Sequence, residues 1–304
     1  MPRKRRSATR HGWIVIDKPT GWTSHDVVAR VRRVVDERRV GHAGTLDPAA
    51  TGVLPVAVGL ATRTVEYLSN ADKSYRGWIR FGVTTDSGDN DGTVTSVTDA
   101  SALTRDQLEP LLDEFRGEIA QRPPMHSAIR VDGTRLYHLA RKGVEVEVEP
   151  RRVTIHELRV VAWAPPVLCV DVTCSKGTYI RSLARDIGER AGPGALLDRL
   201  VRTRSGPFGL EDALTLEQLE QELDSRGWPA VSFSPDYVLG DLPTLVLGDD
   251  EALAWSQGKP VPFSGSGQVT SPVRAYNAAG AWLGIGDVDS EHWVVRPSKV
   301  IVAG

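Results

Sequence analysis

The stretch GHAGTLDPAATGVLPVAVGLATR, residues 41–63, carries one carboxylate, Asp47, and one histidine, His42, among glycines and small apolar residues. A residue before proline is pushed out of the α region, so Asp47, ahead of Pro48, is expected on an extended or turning backbone and not inside a helix. The surrounding glycines allow unusual dihedrals and close approach by a large ligand. An acid held among Ala43, Leu46, Ala49 and Ala50 loses water, and its pKa rises unless a cation answers it. A second polar group, CSKGTYIRSLARDIG, offers Lys176, Tyr179, Arg181 and Arg185 where a strand gives way to a helix. Arg181 is the best placed counter-ion, because a guanidinium holds a carboxylate in a fixed orientation and keeps it ionised. Each feature has a plainer reading: a turn-capping aspartate, a surface arginine, a satisfied loop histidine.

Elements must position these groups. GWIVIDKP reads as a strand ended by Pro19, and Thr23 or Ser24 caps a helix whose apolar face is Val27, Val28, Val31, Val34 and Val35. Beyond the glycine-rich stretch, ATRTVEYLSN reads as helix, SYRGWIRFGVTT as strand and DSGDNDG as an exposed turn. TRDQLEPLLDEFRG is an amphipathic helix and RLYHLARKG a shorter one. VEVEVEP, RRVTIHELRVVAW and VLCVDVTC are successive strands, and Thr178 to Arg190 is a helix with Gly192 and Pro193 past its end. Long strands and interspersed helices without regular alternation imply an α+β fold, a large mixed or antiparallel sheet flanked by helices. TLEQLEQELDSRGW, a helix capped at Thr215, leads into WPAVSFSPDYVLGDLP, where a boundary is expected. Three segments result: a basic flexible arm over 1–11, a main domain over 12–238, and a C-terminal domain over 239–304 that reads as a small β-barrel.

Of the 304 residues 40% are hydrophobic and 25% charged, an ordinary globular composition. No apolar run reaches the roughly 18 to 20 residues that cross a bilayer. The start, MPRKRRSATRHG, lacks the apolar segment of a secretion signal, so the cytoplasm is the expected compartment. Cys169 and Cys174, an odd five residues apart on a strand, fall on opposite faces and suit neither a redox pair nor a zinc site. A net charge of −2 argues against coating nucleic acid by bulk attraction. Local basic patches exist at Arg3 to Arg6, Arg130 with Arg135, Arg141 with Lys142, Arg151 with Arg152, and Arg199, Arg202 and Arg204. A flexible cationic arm adds salt-sensitive affinity for phosphates. Nothing suggests an obligate assembly, so a monomer is expected.

The chain resembles the TruB family of tRNA pseudouridine synthases. GHAGTLDPAATGVLPVAVGLATR is similar to the family's catalytic motif. KSYRGWIRFGVTTDSGD, QRPPMHSAIRVDGTRLYHLARKG, CSKGTYIRSLARDIG and LLDRLVRTRSGPF resemble its later blocks in the same order, from Gly12 to Ala213. The C-terminal segment resembles, more weakly, the family's PUA-like RNA-binding module. The resemblance implies the pseudouridine synthase fold, isomerisation of the uridine at position 55 in the T loop of tRNA, the tRNA T arm as partner, and neither cofactor nor metal. It makes Asp47 the catalytic carboxylate, Arg181 its partner and Tyr75 the ring stacking on the target base. Tyr179 and Leu200 match positions that contact the target nucleotide, and His42 matches the histidine that enters the T loop. His126 stands where many members carry tyrosine and Arg130 where they usually carry lysine.

The implied reaction breaks the bond between ribose C1′ and uracil N1, turns the base and rejoins it through C5. The target must first be flipped out of its stack, at about a few kcal/mol, offset by stacking on Tyr75. Asp47 either attacks C1′ or takes a proton from C2′, and the residues do not choose between these routes. A glycoside hydrolase normally uses two carboxylates, and only one lies in this motif. Apolar surroundings keep water from the detached uracil. The alternatives are a non-catalytic RNA-binding or tRNA-folding protein and a hydrolase of small nucleosides.

Overall fold

The computed structural model describes residues 10–124, 130–131, 134–135, 148–263 and 270–301. The first half of the main body runs β1 (Gly12–Lys18), α1 (Ser24–Val34), β2 (Val40–His42), β3 (Thr51–Val58), α2 (Val65–Asn70), β4 (Lys73–Phe81), β5 (Val83–Thr85), β6 (Val94–Val97), α3 (Arg105–Leu111) and β7 (Gly117–Gln121). It continues through β8 (Arg130–Val131), β9 (Thr134–Arg135), β10 (Arg151–Ala164), β11 (Val167–Cys174), α4 (Ile180–Ala191), β12 (Ala195–Ser205), β13 (Phe208–Gly209) and α5 (Leu216–Arg226). Among the described residues, nine strands form one mixed sheet in the order β1, β3, β12, β4, β11, β10, β7, with β2 on β3 and β13 on β12. The β3–β12 pair is parallel and its neighbours antiparallel.

Two cores explain why the helices lie where they do. Ile14, Ile16, Leu54 and Val56 point from β1 and β3 to the apolar stripes of α1 and α5, led by Val27, Val31 and Leu219. Ile79, Phe81, Val170 and Val172 point from β4 and β11 to Leu183, Ala184 and Ile187 of α4 and to Leu108 of α3. Each fully buried aliphatic side chain contributes about 1.5–3 kcal/mol. Capping boxes start α1 at Thr23 with Asp26 and α5 at Thr215 with Gln218. The helix expected over TRDQLEPLLDEFRG ends at Leu111 and tightens into a 3-10 turn over Leu112–Phe115, just after Pro110, which lacks an N–H to donate.

The C-terminal part holds β14 (Thr244–Leu247), α6 (Asp249–Ser256), β15 (Val261–Pro262), β16 (Val273–Asn277), β17 (Trp282–Asp289) and β18 (Val294–Val300). Its five strands form a second, curled sheet in the order β14, β16, β17, β18, β15, consistent with a PUA-like domain, and Trp255 of α6 is buried in its core. The segment WPAVSFSPDYVLGDLP is no loose connector. Trp13 and Phe233 exchange backbone hydrogen bonds at 2.9 and 2.8 Å, and the rings of Phe208 and Tyr237 stack at 5.3 Å. Most of RLYHLARKG and of VEVEVEP lies outside the described residues.

Candidate active site

Asp47 sits on the loop between β2 and β3, on irregular backbone followed by a turn that Ala50 closes by donating to Asp47 O at 3.1 Å. The start of α1 fixes this loop. Gly21 N donates to Pro48 O at 2.8 Å, while the Ser24 hydroxyl accepts from Leu46 N at 2.9 Å and donates to Leu46 O at 3.1 Å. The buried Lys18 ammonium donates to the carbonyls of Pro19, Trp22 and Pro48 at 3.0, 2.6 and 3.0 Å. Burial pulls its pKa down to about 8, and the nearby Asp47 charge opposes that.

Arg181, in the first turn of α4, is buried, and its Nε lies 3.0 Å from Asp47 Oδ2 and 3.5 Å from Asp89 Oδ2. Its Nη1 donates to Ser87 O at 3.1 Å. The acid and the counter-ion expected from the sequence therefore meet. Asp47 keeps 42% of its side chain exposed, open enough to be reached, yet protein surrounds it closely enough that burial raises its carboxyl above the usual 3.8. Arg181 opposes that rise, and the like charges of Asp89 and Asp91 add to it. The DSGDNDG segment is thus not simply an exposed turn. Leu197 N donates to Gly88 O at 2.9 Å, which pins it to β12 and turns Asp89 inward, its side chain 14% exposed.

Tyr179 is the N-cap of α4, and the side chain of Gln121 clamps it by accepting from its N–H at 2.8 Å and donating to its carbonyl at 3.1 Å. Tyr75 lies half-buried on β4, on the face of the α4 core. Burial raises its phenol, Arg202 opposes this, and the charge of Asp47 is felt there. Leu200 pairs across from Gly77 and packs against the same core, so the floor of the site is apolar. His42 ends β2 with its ring edge-on to His25, centroids 5.3 Å apart. Burial and the charges of His25 and Arg202 push His42 down to about 4, and its buried Nδ1 has no hydrogen-bond partner.

Sequence reasoning missed Asp89, Gln121 and the placement of Arg202. Arg202, read as part of a basic surface patch, is 1% exposed. Strict alternation would put Arg202 and Arg204 on one face. A bulge in β12 makes Arg202 pair with Tyr75 and Arg204 with Ser74, turning the two to opposite faces, which no alternation pattern reveals. His126 lies outside the described residues, and only the backbone of Arg130 is described. Cys169 and Cys174 are both buried, and burial pushes the Cys174 thiol up to about 11. Among the described residues no three His, Cys, Asp or Glu side chains converge to hold a metal ion.

Residues 32–180 match the TruB family pseudouridylate synthase N-terminal domain, 181–228 the tRNA pseudouridylate synthase B C-terminal domain, and 243–301 the C-terminal domain of pseudouridine synthase II TruB. The tRNA pseudouridine synthase B of Gloeobacter violaceus is 48% identical over 255 residues, 83% of this chain and 86% of its own. That of Symbiobacterium thermophilum is 53% identical over 233 residues, 76% of each chain. Among solved structures, a chain of an H/ACA ribonucleoprotein bound to a substrate RNA containing 2′-deoxyuridine superposes with a TM-score of 0.74 at 26% identity, covering 96% of this chain and 85% of that one. A chain of a Cbf5-Nop10-Gar1 complex gives a TM-score of 0.73 at 27% identity, covering 95% and 84%. The fold and these relatives define an RNA-modifying enzyme of the pseudouridine synthase class. Within that class, the chain belongs to the TruB family.

Proposed function

We propose that this protein isomerises the uridine at position 55 in the T loop of tRNA to pseudouridine, with Asp47 as the catalytic carboxylate. The observation that carries this reading is the Asp47 carboxylate, open to the solvent side yet held 3.0 Å from the buried Arg181 guanidinium, on the segment that the family domain spans. An acid poised in this way is ionised, oriented and reachable by an extruded nucleotide.

The uridine leaves its stack, and the cost of unstacking is offset by the Tyr75 ring and the apolar floor formed by Leu200. Neutral His42, at the rim of the same loop, fills the space that the base vacates. Tyr179 contacts the target nucleotide where α4 begins. Asp47 then acts on the ribose as a nucleophile at C1′ or as a base toward C2′. The uracil, detached with the bonding pair on N1, turns within a pocket that excludes water and rejoins through C5 as C1′ leaves Asp47 or C2′ regains its proton; a base removes the C5 proton and N1 takes one up, so nothing is gained or lost overall. Arg181 keeps Asp47 anionic and aimed while Asp89 holds Arg181 from the other side. The PUA-like sheet and local basic residues bind RNA by its shape and phosphates, as a monomer on the T arm in the cytoplasm.

The test is Asp47→Asn on a T-arm RNA hairpin, with pseudouridine read by chemical labelling. Product should fall to background while hairpin binding changes little. Isomerisation at the unmutated rate would remove Asp47 from the mechanism. Binding without product, even by the unmutated protein, would make this a non-catalytic RNA-binding protein.

A further inference from the structure

Arg202 stands at the meeting point of three strands. It pairs across from Gly52 in the parallel β3–β12 contact and across from Tyr75 in the antiparallel β12–β4 ladder. Its Nε donates to Val53 O at 2.7 Å and its Nη2 to Gly44 O at 3.1 Å, so it grips both the strand that follows the Asp47 loop and the loop itself. Fit is close, since a Cβ on Gly44 would lie 3.4 Å from Nη1. Among the described residues no carboxylate forms an ion pair with Arg202, although it is 1% exposed. Burying a charge is costly unless its polar groups are hydrogen-bonded, and here the carbonyls of Val53 and Gly44 answer the guanidinium.

We propose that Arg202 is a positioning residue for the reaction: its fork holds the backbone of the Asp47 loop and of strand β3 directly across from Tyr75, so that base-stacking ring and carboxylate keep a fixed relation. From the elements around it Tyr75 faces Arg202 on β12, Cys174 on β11 and Asp47 on its loop; the thiol and the carboxylate disfavour the phenolate and Arg202 favours it. The same charge is felt by Lys18, His42 and Lys73, so its field spans the site. Lysine would not substitute, because an ammonium cannot present the planar fork that reaches the carbonyls of Val53 and Gly44 together.

This inference rests on the reading of Tyr75 as a residue that faces the substrate. If Tyr75→Ala keeps the full rate, that reading falls; if Tyr75→Ala is impaired and the Arg202 variants are silent, only the present inference falls. Arg202→Gln removes the charge and retains one amide donor, and Arg202→Lys retains the charge without the fork. In single-turnover reactions on the T-arm hairpin, both should lose about 10- to 100-fold in rate, the scale of a misplaced reacting group, with hairpin affinity nearly unchanged. A purely structural role would leave the ionisation of position 75 alone. With 2,3,5-trifluorotyrosine installed there, the fluorine-NMR titration midpoint should rise in Arg202→Gln relative to the native arginine and rise less in Arg202→Lys. A midpoint that does not move in Arg202→Gln, or a full rate in either variant, overturns the proposal. Should Arg202→Gln fail to fold, Arg202→Lys decides by its rate and the same titration.

Discussion

Asp47 is both crowded and reachable, and its acid-base behaviour follows from that tension. Burial and the neighbouring Asp89 and Asp91 raise its carboxyl, and Arg181 and Lys18 resist. The proposed reaction needs the carboxylate, so on that reading activity is present above the raised pKa and is lost as pH falls through it. The acid limb of the single-turnover rate should therefore lie above the ordinary carboxylate value of 3.8, and Asp89→Asn should move it downward by removing a like charge. A limb that stays put in Asp89→Asn would remove that charge from the account. His42 titrates with the opposite charge logic. Its folded-state pKa, about 4, lies below the unfolded 6.5, so protonation favours the unfolded chain. Stability should fall as pH drops from about 6.5 toward 4, and His42→Phe should flatten that stretch of a denaturation-versus-pH curve. Asp47 and Arg181 were legible in the sequence because an acid before proline and an arginine at a strand-to-helix junction each fix a backbone setting. Asp89 was not, because only the tertiary bond from Leu197 to Gly88 turns that acidic segment inward.

At the scale of elements, the helix starts that carry a capping box were readable to within a residue or two. Thr215→Ala should cost about 1 kcal/mol by loss of the cap on α5, measured by denaturant unfolding. The same signals could not show the bulge in β12 or the tightening after Pro110, since both depend on how the chain packs and not on its period. The β3 start is less forgiving than a cap. Gly52 has a φ of +97° and a Cβ there would lie 2.2 Å from the carbonyl oxygen of Arg202. Gly52→Ala should therefore destabilise by about 1–3 kcal/mol or more and reduce activity with it. Gly41→Ala, in the same motif but with open space where a Cβ would go, should leave both nearly unchanged. Equal unfolding midpoints for the two variants would contradict this account of the loop.

At the scale of the whole molecule, the C-terminal sheet is tied to the main body at α2. Arg63 Nη1 donates to Val300 O at 2.5 Å, Lys299 Nζ donates to Arg63 O at 2.7 Å, and Lys299 also pairs with Glu66. Tyr276 adds a bond to Asp236 on the connecting segment. None of these residues belongs to the site around Asp47. Truncation after Leu242 should consequently weaken tRNA binding more than it slows the single-turnover step at saturating enzyme, and both forms should bind less tightly as salt rises. An equal loss in the two quantities would contradict it. Composition and turn residues marked the segment from Trp228 to Pro243 as a place where the chain changes character. They could not show that Phe233 would pair with Trp13 of β1, about 220 positions away, or that Phe233 and Tyr237 would cover Phe208 of β13.

The parallel contact of β3 with β12 consists of two facing pairs, Thr51 with Val201 and Gly52 with Arg202, and it joins two blocks that each own a separate apolar interior. Asp47 comes from one block and Arg181, Tyr75 and Arg202 from the other. The proposed reactive centre is thus a seam, and on that reading turnover doubles as a gauge of docking: a chain whose blocks have each condensed but not yet joined would hold every one of these groups and perform no reaction.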